Sequence, residues 1–292
     1  MKSKRICWFA FCVVLGVLIL GIGSIHYSKH GLKTTKYDVL ADVTHDIRIV
    51  QLSDLHGMTF GDQNEKLIAA VAEQNPDLIV MTGDMFSEDE DDAQVELVCA
   101  LIRNLNQLAP IYYGLGNHEL AYVQSYGDAV LEKIRDAGAV ILDKEYVDIS
   151  VNGQALRIGG CYGYLLTRRY RNGPEQDFMD DFLQTENPTV LLAHMGEGLL
   201  EYNCLQDWGV DLVFSGHAHG GQIRIPLLGG LYDPEVGWFP KYEKGIFQVG
   251  ESTAVVSAGL GSSTRVPRLF NSPELVFVTL HGEGAPAENT EQ

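Results

Sequence analysis

Short, continuous apolar blocks alternate along this chain with longer stretches in which apolar residues return every three or four positions. That rhythm predicts buried strands interleaved with amphipathic helices. Residues 47–52 read as a strand entering the core, with Ser53 and Asp54 at its carboxyl end. Over 63–74, Leu67, Ile68, Val71 and Ala72 share a helical face, and Asn75-Pro76 ends that helix before a second strand at 77–81. The cycle repeats with a helix over 95–108, whose stripe is Val95, Val98, Leu101, Ile102 and Leu105, and a short strand over 110–113. A helix over 125–136 stopped by Gly138, and a strand over 140–142, come next. Asn152-Gly153 is the strongest hairpin turn in the chain, joining strands over 146–151 and 155–161. Beyond it the pattern gives a helix over 174–186, a strand over 189–193, a helix over 199–208 and a strand over 212–214. The segments 246–249, 253–257 and 275–280 read as strands of a second sheet.

A different pattern opens the chain. Residues 6–25 are twenty positions without a charge, preceded by Lys2, Lys4 and Arg5, a length that spans the hydrocarbon of a bilayer as a helix. The run is longer than a signal-peptide core and lacks an Ala-x-Ala cleavage site, so it reads as an uncleaved transmembrane anchor. Lys2, Lys4, Arg5 and the amino terminus outweigh Lys29, Lys33 and Lys36 across the span. This favours a single-pass cell-membrane protein with a cytoplasmic N-terminus and an extracytoplasmic domain. The organisation expected is therefore a basic segment at 1–5, the anchor at 6–25, a linker at 26–45, one domain at 46–281 and a disordered tail at 282–292. No internal repeat or second domain is visible.

Composition narrows the function classes. With 292 residues, 46% of them hydrophobic, the chain can bury one large core besides the anchor. A formal charge of -18 excludes a broad nucleic-acid footprint, so an anionic substrate must be attracted locally. Cys7 and Cys12 sit in the apolar run, while Cys99, Cys161 and Cys204 form no disulfide framework or Cys-x-x-Cys motif and read as buried thiols.

The polar islands at the strand ends carry the chemistry. They are Asp54-Leu55-His56, Gly83-Asp84, Gly116-Asn117-His118-Glu119, His194, and Gly216-His217-Ala218-His219. Together they hold enough N and O ligands for two adjacent metal sites. In extended backbone Asp54 and His56, and likewise His217 and His219, would face one side. Asp84 is the natural bridge, since a carboxylate has two oxygens whereas an imidazole offers one lone pair. Asn117 can ligate through a neutral oxygen. His118 is better kept off the metals, as general acid for a leaving alkoxide, with Glu119 orienting it. Gly216, Gly220 and Gly221 would let backbone pass close to metal or phosphate. The acidic run from Glu88 to Asp92 reads as a solvated loop and first helical turn.

In these ordered islands the chain resembles the calcineurin-like metallophosphoesterase superfamily, and in particular its bacterial, membrane-associated YkuE/YaeI-like branch, through Gly-His-x-His-Gly-Gly-Gln at 216–222. The resemblance covers about residues 46–280. It implies an α/β fold, a four-layer α/β/β/α sandwich of two mixed sheets, preceded here by the transmembrane helix. By motif, Asp54, His56 and His219 would hold one divalent ion and Asn117, His194 and His217 the other, with Asp84 between them. Manganese is the expected metal, with iron or zinc as alternatives. The implied activity is metal-dependent hydrolysis of a phosphate ester by activated water, with a lipid-linked or envelope phosphodiester as substrate. Activity on soluble phosphate esters is the alternative, and a nonenzymatic anchored scaffold would leave the ordered ligands unexplained. Met195-Gly196-Glu197 departs from the proline-containing turn frequent in this branch, which bears on the pocket wall. Tyr162, Tyr164, Leu165, Leu166, Trp238 and Phe239 could line an apolar substrate wall or simply pack. Arg168, Arg169, Arg171, Arg265 and Arg268 are candidates for phosphate recognition or ordinary solvated side chains.

Overall fold

Strands that are buried on both faces organise the molecule, because a run such as Leu78–Met81, all four residues of it buried, can only sit in the middle of a sheet covered on both sides. The computed structural model describes residues 2–89, 91–163, 174–201, 204–233, 237–262, 267–282 and 290–291. In chain order the strands are β1 (Lys33–Leu40), β2 (Ile47–Leu52), β3 (Leu78–Met81), β4 (Ile111–Gly114), β5 (Ala139–Leu142), β6 (Glu145–Val151), β7 (Gln154–Cys161), β8 (Thr189–Ala193) and β9 (Leu212–Ser215). The short strands β10 (Arg224–Ile225), β11 (Gly229–Gly230), β12 (Tyr232–Asp233) and β13 (Gly237–Trp238) follow. After them come β14 (Gly245–Val249), β15 (Ser252–Val256), β16 (Glu274–His281) and β17 (Thr290–Glu291). The helices are α1 (Lys2–His30), α2 (Glu65–Glu73), α3 (Asp92–Leu105), α4 (Asn117–Tyr126), α5 (Ala129–Ala137), α6 (Pro174–Phe182), α7 (Glu197–Glu201) and α8 (Cys204–Trp208).

Two large mixed sheets result, in the orders β17-β1-β16-β2-β3-β4-β5 and β14-β15-β9-β8-β7-β6. Within each, the strands that lead into the polar islands run parallel, so their carboxyl ends lie at one edge. Ile49, Val80, Val276, Leu192 and Phe214 fill the layer between the sheets. Side chains of α2, α3 and α5 cover the outer face of the first sheet, and those of α6, α7 and α8 cover the second. The order is thus helix, sheet, sheet, helix. At about 1.5–3 kcal/mol for each large apolar side chain fully withdrawn from water, the central layer is the main source of stability.

Six features of the structure differ from the sequence reading. The helix α1 runs past residue 25 to His30, and Lys33–Leu40, expected in the linker, is strand β1, paired in parallel with β16. Strand β16 lies in the first sheet, between β1 and β2, rather than in the second. A helix begins at Asn117, where a loop was expected, and residues 199–208 divide between α7 and α8. In the tail, Thr290–Glu291 adds a short antiparallel edge to β1.

Candidate metal centre

The loops after β2, β3 and β4 of one sheet meet the loops after β8 and β9 of the other. A buried amide joins the two sheets beneath this junction: Gln51 Nε2 donates to Thr82 Oγ1 at 2.9 Å and to the Ser215 carbonyl at 2.8 Å. The junction is tight enough to require glycine. A Cβ on Gly116 would fall 2.2 Å from Asp84 Oδ1, and one on Gly216 would fall 2.0 Å from Ser53 Oγ and 2.5 Å from Asp54 Oδ2.

Three overlapping groups of metal-capable side chains gather there: Asp54, His56 and His219; His56, Asp84 and His118; and Asp84, His194 and His217. Within each group the ligand atoms all lie within 4.8 Å of one another. Asp84 Oδ2 is 3.2 Å from His194 Nε2, 3.8 Å from His56 Nε2 and 3.9 Å from His118 Nε2. Asn117 Oδ1 is 3.0 Å from His194 Nε2 and 3.1 Å from His217 Nδ1. Ligand atoms bound at about 2.1 Å around one cation stand roughly 3.0–3.4 Å apart, so the set around His194 has the spacing of a coordination shell. The other set is looser, with His219 Nε2 3.8 Å from Asp54 Oδ1. It carries a second signature: His56 Nε2 and His219 Nδ1 are buried with no hydrogen-bond partner among the described residues. Leaving a buried polar atom unpaired costs about 1–3 kcal/mol, which ligation would recover.

Surrounding groups aim these ligands. The Thr82 carbonyl accepts from His194 Nδ1 at 2.6 Å, which turns Nε2 toward Asp84 and Asn117. Asp54 accepts from Ser53 Oγ at 2.5 Å and from the His217 backbone N–H at 3.0 Å, and Asp84 Oδ1 accepts from the His118 backbone N–H at 2.9 Å. The electrostatics are those of a dense cluster in a poor solvent. Burial pushes the His56, His217 and His219 imidazoles down, His217 to about 3. Burial also opposes charge on His194 and Asp84, yet their mutual attraction wins, lifting His194 to about 10 and holding the Asp84 carboxyl well below the ordinary carboxylate range. The proton that pairs His194 with Asp84 and a divalent cation would compete for the same lone pair.

Every metal-ligand candidate read from the sequence reaches this junction, but not by the backbone geometry expected. Asp54, His56, Asp84, His217 and His219 all have φ between 46° and 66°, in the left-handed region, rather than extended backbone. Non-glycine residues reach that region at a cost, and such strain concentrates at functional sites.

Glu119 does not orient His118. It is fully buried and accepts from the backbone N–H groups of Asp84 (2.7 Å), Gly116 (2.9 Å) and Met85 (2.8 Å) and from the Tyr113 hydroxyl (2.7 Å). Burial and the Asp84 charge raise its carboxyl above the usual range. The carboxylate at His118 Nδ1 is Glu88, from the run expected to be a solvated loop. Asp91 of that run caps α3 by accepting from Gln94 N at 3.1 Å.

Arg268 is not a phosphate receptor. It is buried, its guanidinium donates to the carbonyls of Ala258, Gly259, Gly261, Asn271 and Ser272, and burial lowers its pKa to about 10. Gly220 and Gly221 make room for Asn271 and Gly230 instead of a metal or phosphate. Tyr162 stacks on His194 with ring centroids 6.3 Å apart, whereas Trp238 and Phe239 are exposed. Tyr164, Leu165, Leu166, Arg168, Arg169, Arg171 and Arg265 lie outside the described residues. Cys99, Cys161 and Cys204 are buried and, among the described residues, form no disulfide, as expected.

Carboxylates, imidazoles and a neutral amide converging at the edge of a two-sheet sandwich define a metal-dependent hydrolase. Residues 47–221 match the model of the calcineurin-like phosphoesterase family, and the chain belongs to that family. It is 29% identical to the metallophosphoesterase YkuE of Bacillus subtilis (strain 168), over 89% of this chain and 90% of that one. It is 26% identical to the phosphodiesterase YaeI of Escherichia coli (strain K12), over 89% and 93% of the two chains. The likeness extends beyond bacteria to a transmembrane protein with metallophosphoesterase domain of Danio rerio, 26% identical over 82% of this chain and 54% of that one.

Proposed function

We propose that the chain is a membrane-anchored phosphodiesterase that uses two divalent cations, manganese by preference, to hydrolyse a lipid-linked or envelope phosphodiester. The observation that carries this reading is the position of Asp84, whose Oδ2 faces His56 of one ligand set and His194 of the other. Asp54, His56 and His219 would hold one ion and Asn117, His194 and His217 the second, with the Asp84 carboxylate shared. Bound cations of this type lower the pKa of water and withdraw charge from phosphoryl oxygens.

The remaining chemistry belongs to the chain. His118 sits at the rim, its side chain 14% exposed and its Nε2 facing the cluster, where a proton can pass to a leaving alkoxide. Glu88 at Nδ1 fixes the ring with Nε2 turned toward the cluster. Tyr162, parallel to the His194 ring, offers a flat apolar wall.

Diester preference is supported by the name of the relative YaeI. Anchoring is supported by α1, in which Arg5–Ser28 is long and apolar enough to cross a bilayer and whose Ile6, Trp8 and Phe9 are exposed. In this reading the N-terminus is cytoplasmic and the domain extracytoplasmic. Turnover of soluble phosphate esters is the second reading, since an anchor also localises an enzyme whose substrate is dissolved.

The test compares wild type with His118→Asn on a lipid phosphodiester, an aryl phosphodiester and an aryl phosphomonoester. The expected result is a clear preference for diesters and, in the variant, unchanged metal content. Turnover by the variant should fall about 10²–10⁴-fold on poor leaving groups but far less on the aryl esters. Loss of both metals in the variant would reject the division of labour. Faster turnover of the monoester would reject the substrate class.

A further inference from the structure

Large apolar side chains stand in solvent on one platform of the domain, and strained backbone holds them there. At the tip of the β10–β11 hairpin Leu227 is fully exposed and Leu228 is 69% exposed; Trp238 and Phe239 are 70% and 58% exposed, and Phe270 43%. Leu227, Phe239 and Phe270 have φ of 71°, 54° and 51°. Left-handed backbone at a bulky residue is disfavoured, and here it turns apolar surface toward water rather than into the core, as expected only where something else covers that surface.

Hydrogen bonds unite these segments. Ile223 bridges Leu269, Arg224 N donates to the Leu269 carbonyl at 2.9 Å, Leu231 N to that of Ile223 at 2.7 Å, and Phe239 N to that of Leu231 at 2.9 Å. The platform is tied to the helix α1: Phe270 N donates to Ser24 Oγ at 2.5 Å, and Ser28 Oγ to the Arg268 carbonyl at 3.0 Å. It is also tied to the metal centre, since Asn271 Nδ2 donates to the His219 carbonyl at 2.6 Å.

We propose that this platform docks on a lipid bilayer, with Leu227, Leu228, Trp238, Phe239 and Phe270 entering the interface of the membrane that α1 crosses. The inference rests on the reading of α1 as an anchor. Depth argues for lipid as the occupant. Ser24 lies within the apolar run 6–25, so a loop bonded to it sits at the level of the last apolar turn, where the helix leaves the hydrocarbon. Composition argues the same way, because leucine and phenylalanine flanking a tryptophan suit the boundary between acyl chains and headgroups. Lys241 is exposed beside the patch and attracts anionic headgroups. Docked in this way, the His219 side of the metal centre faces the headgroup layer, so the phosphodiester of a lipid reaches the site without leaving the membrane.

The chain has 3 tryptophans, so the full-length Trp8→Phe/Trp208→Phe variant keeps Trp238 as sole reporter. It is reconstituted in vesicles of phosphatidylcholine and phosphatidylglycerol, with or without bromine on the upper acyl chains. Side chains buried about 5–10 Å into the interface touch those bromines, so Trp238 emission should fall by roughly half or more. Alkaline carbonate extraction of the same vesicles reports on the anchor separately. Resistant protein with quenched Trp238 supports both claims, and extractable protein with quenched Trp238 supports docking while rejecting the anchor. Unquenched emission overturns the docking surface. This includes the case in which the emission is blue-shifted and crosslinking finds a second copy covering the patch.

Discussion

Glu119 illustrates how a charged residue beside a reactive one can serve the scaffold. Its two oxygens gather the loops after β3 and β4, and four donors converge on them. In Glu119→Gln one oxygen becomes an NH₂ that faces donors, so at least one buried N–H loses its acceptor. The expected cost is about 2–4 kcal/mol, seen as a lower denaturant midpoint at constant slope. An unchanged midpoint would show that the four bonds do not support the fold. At this scale the sequence made the candidate ligands legible, because Asp54, His56, Asp84, Asn117, His194, His217 and His219 stand out by type and order, and the fold brings them to one junction. The supporting roles were not legible. Glu88 reaches His118 across a loop whose path only the fold defines, and Arg268 looks like an anion receptor until its carbonyl partners are known. The left-handed backbone of the ligands was hidden for the same reason, since none of those five residues is glycine.

Among the elements, β1 shows why a polar strand is missed. Thr35, Tyr37 and Val39 are buried at alternate positions, but Lys36 and Asp38 between them give the segment the look of a linker. Alternation of period two was present in weak form, whereas the pairing with β16 comes from residues far along the chain. Similarly, α4 carries no strong apolar stripe because its first turn is spent on Asn117, His118 and Glu119.

Strand β1 also brings a pH dependence to the edge of the sheet. His281 at the end of β16 lies 2.9 Å from Asp38 of β1 and 2.9 Å from Asp46. Burial lowers its pKa, but the two carboxylates prevail and raise it above 6.5. A raised folded-state value means that the native chain binds the proton more tightly than the unfolded one. This stabilisation is complete below about pH 6.5 and disappears as pH rises through the raised value. Wild type should therefore exceed His281→Asn by about 0.5–1 kcal/mol in mildly acidic buffer, since Asp46 is largely exposed. The gap should close in alkaline buffer. A gap that widens with pH in denaturant titrations would contradict the assignment.

For the molecule as a whole, the parallel core strands and the placement of ligands at their carboxyl ends follow from the alternation of apolar blocks and helices. The partition into sheets does not. Strand β16 is as apolar as its counterparts in the second sheet, and long-range pairing alone puts it in the first. That partition matters because the centre exists only where the sheets meet, with Gly116 against Asp84 and Gly216 against Asp54. The most direct measurement is anomalous scattering from a crystal of the full chain grown with manganese. The account predicts two peaks about 3.5–4 Å apart, one on each side of the Asp84 carboxylate. A single peak, or a pair of peaks away from Asp84, would contradict it.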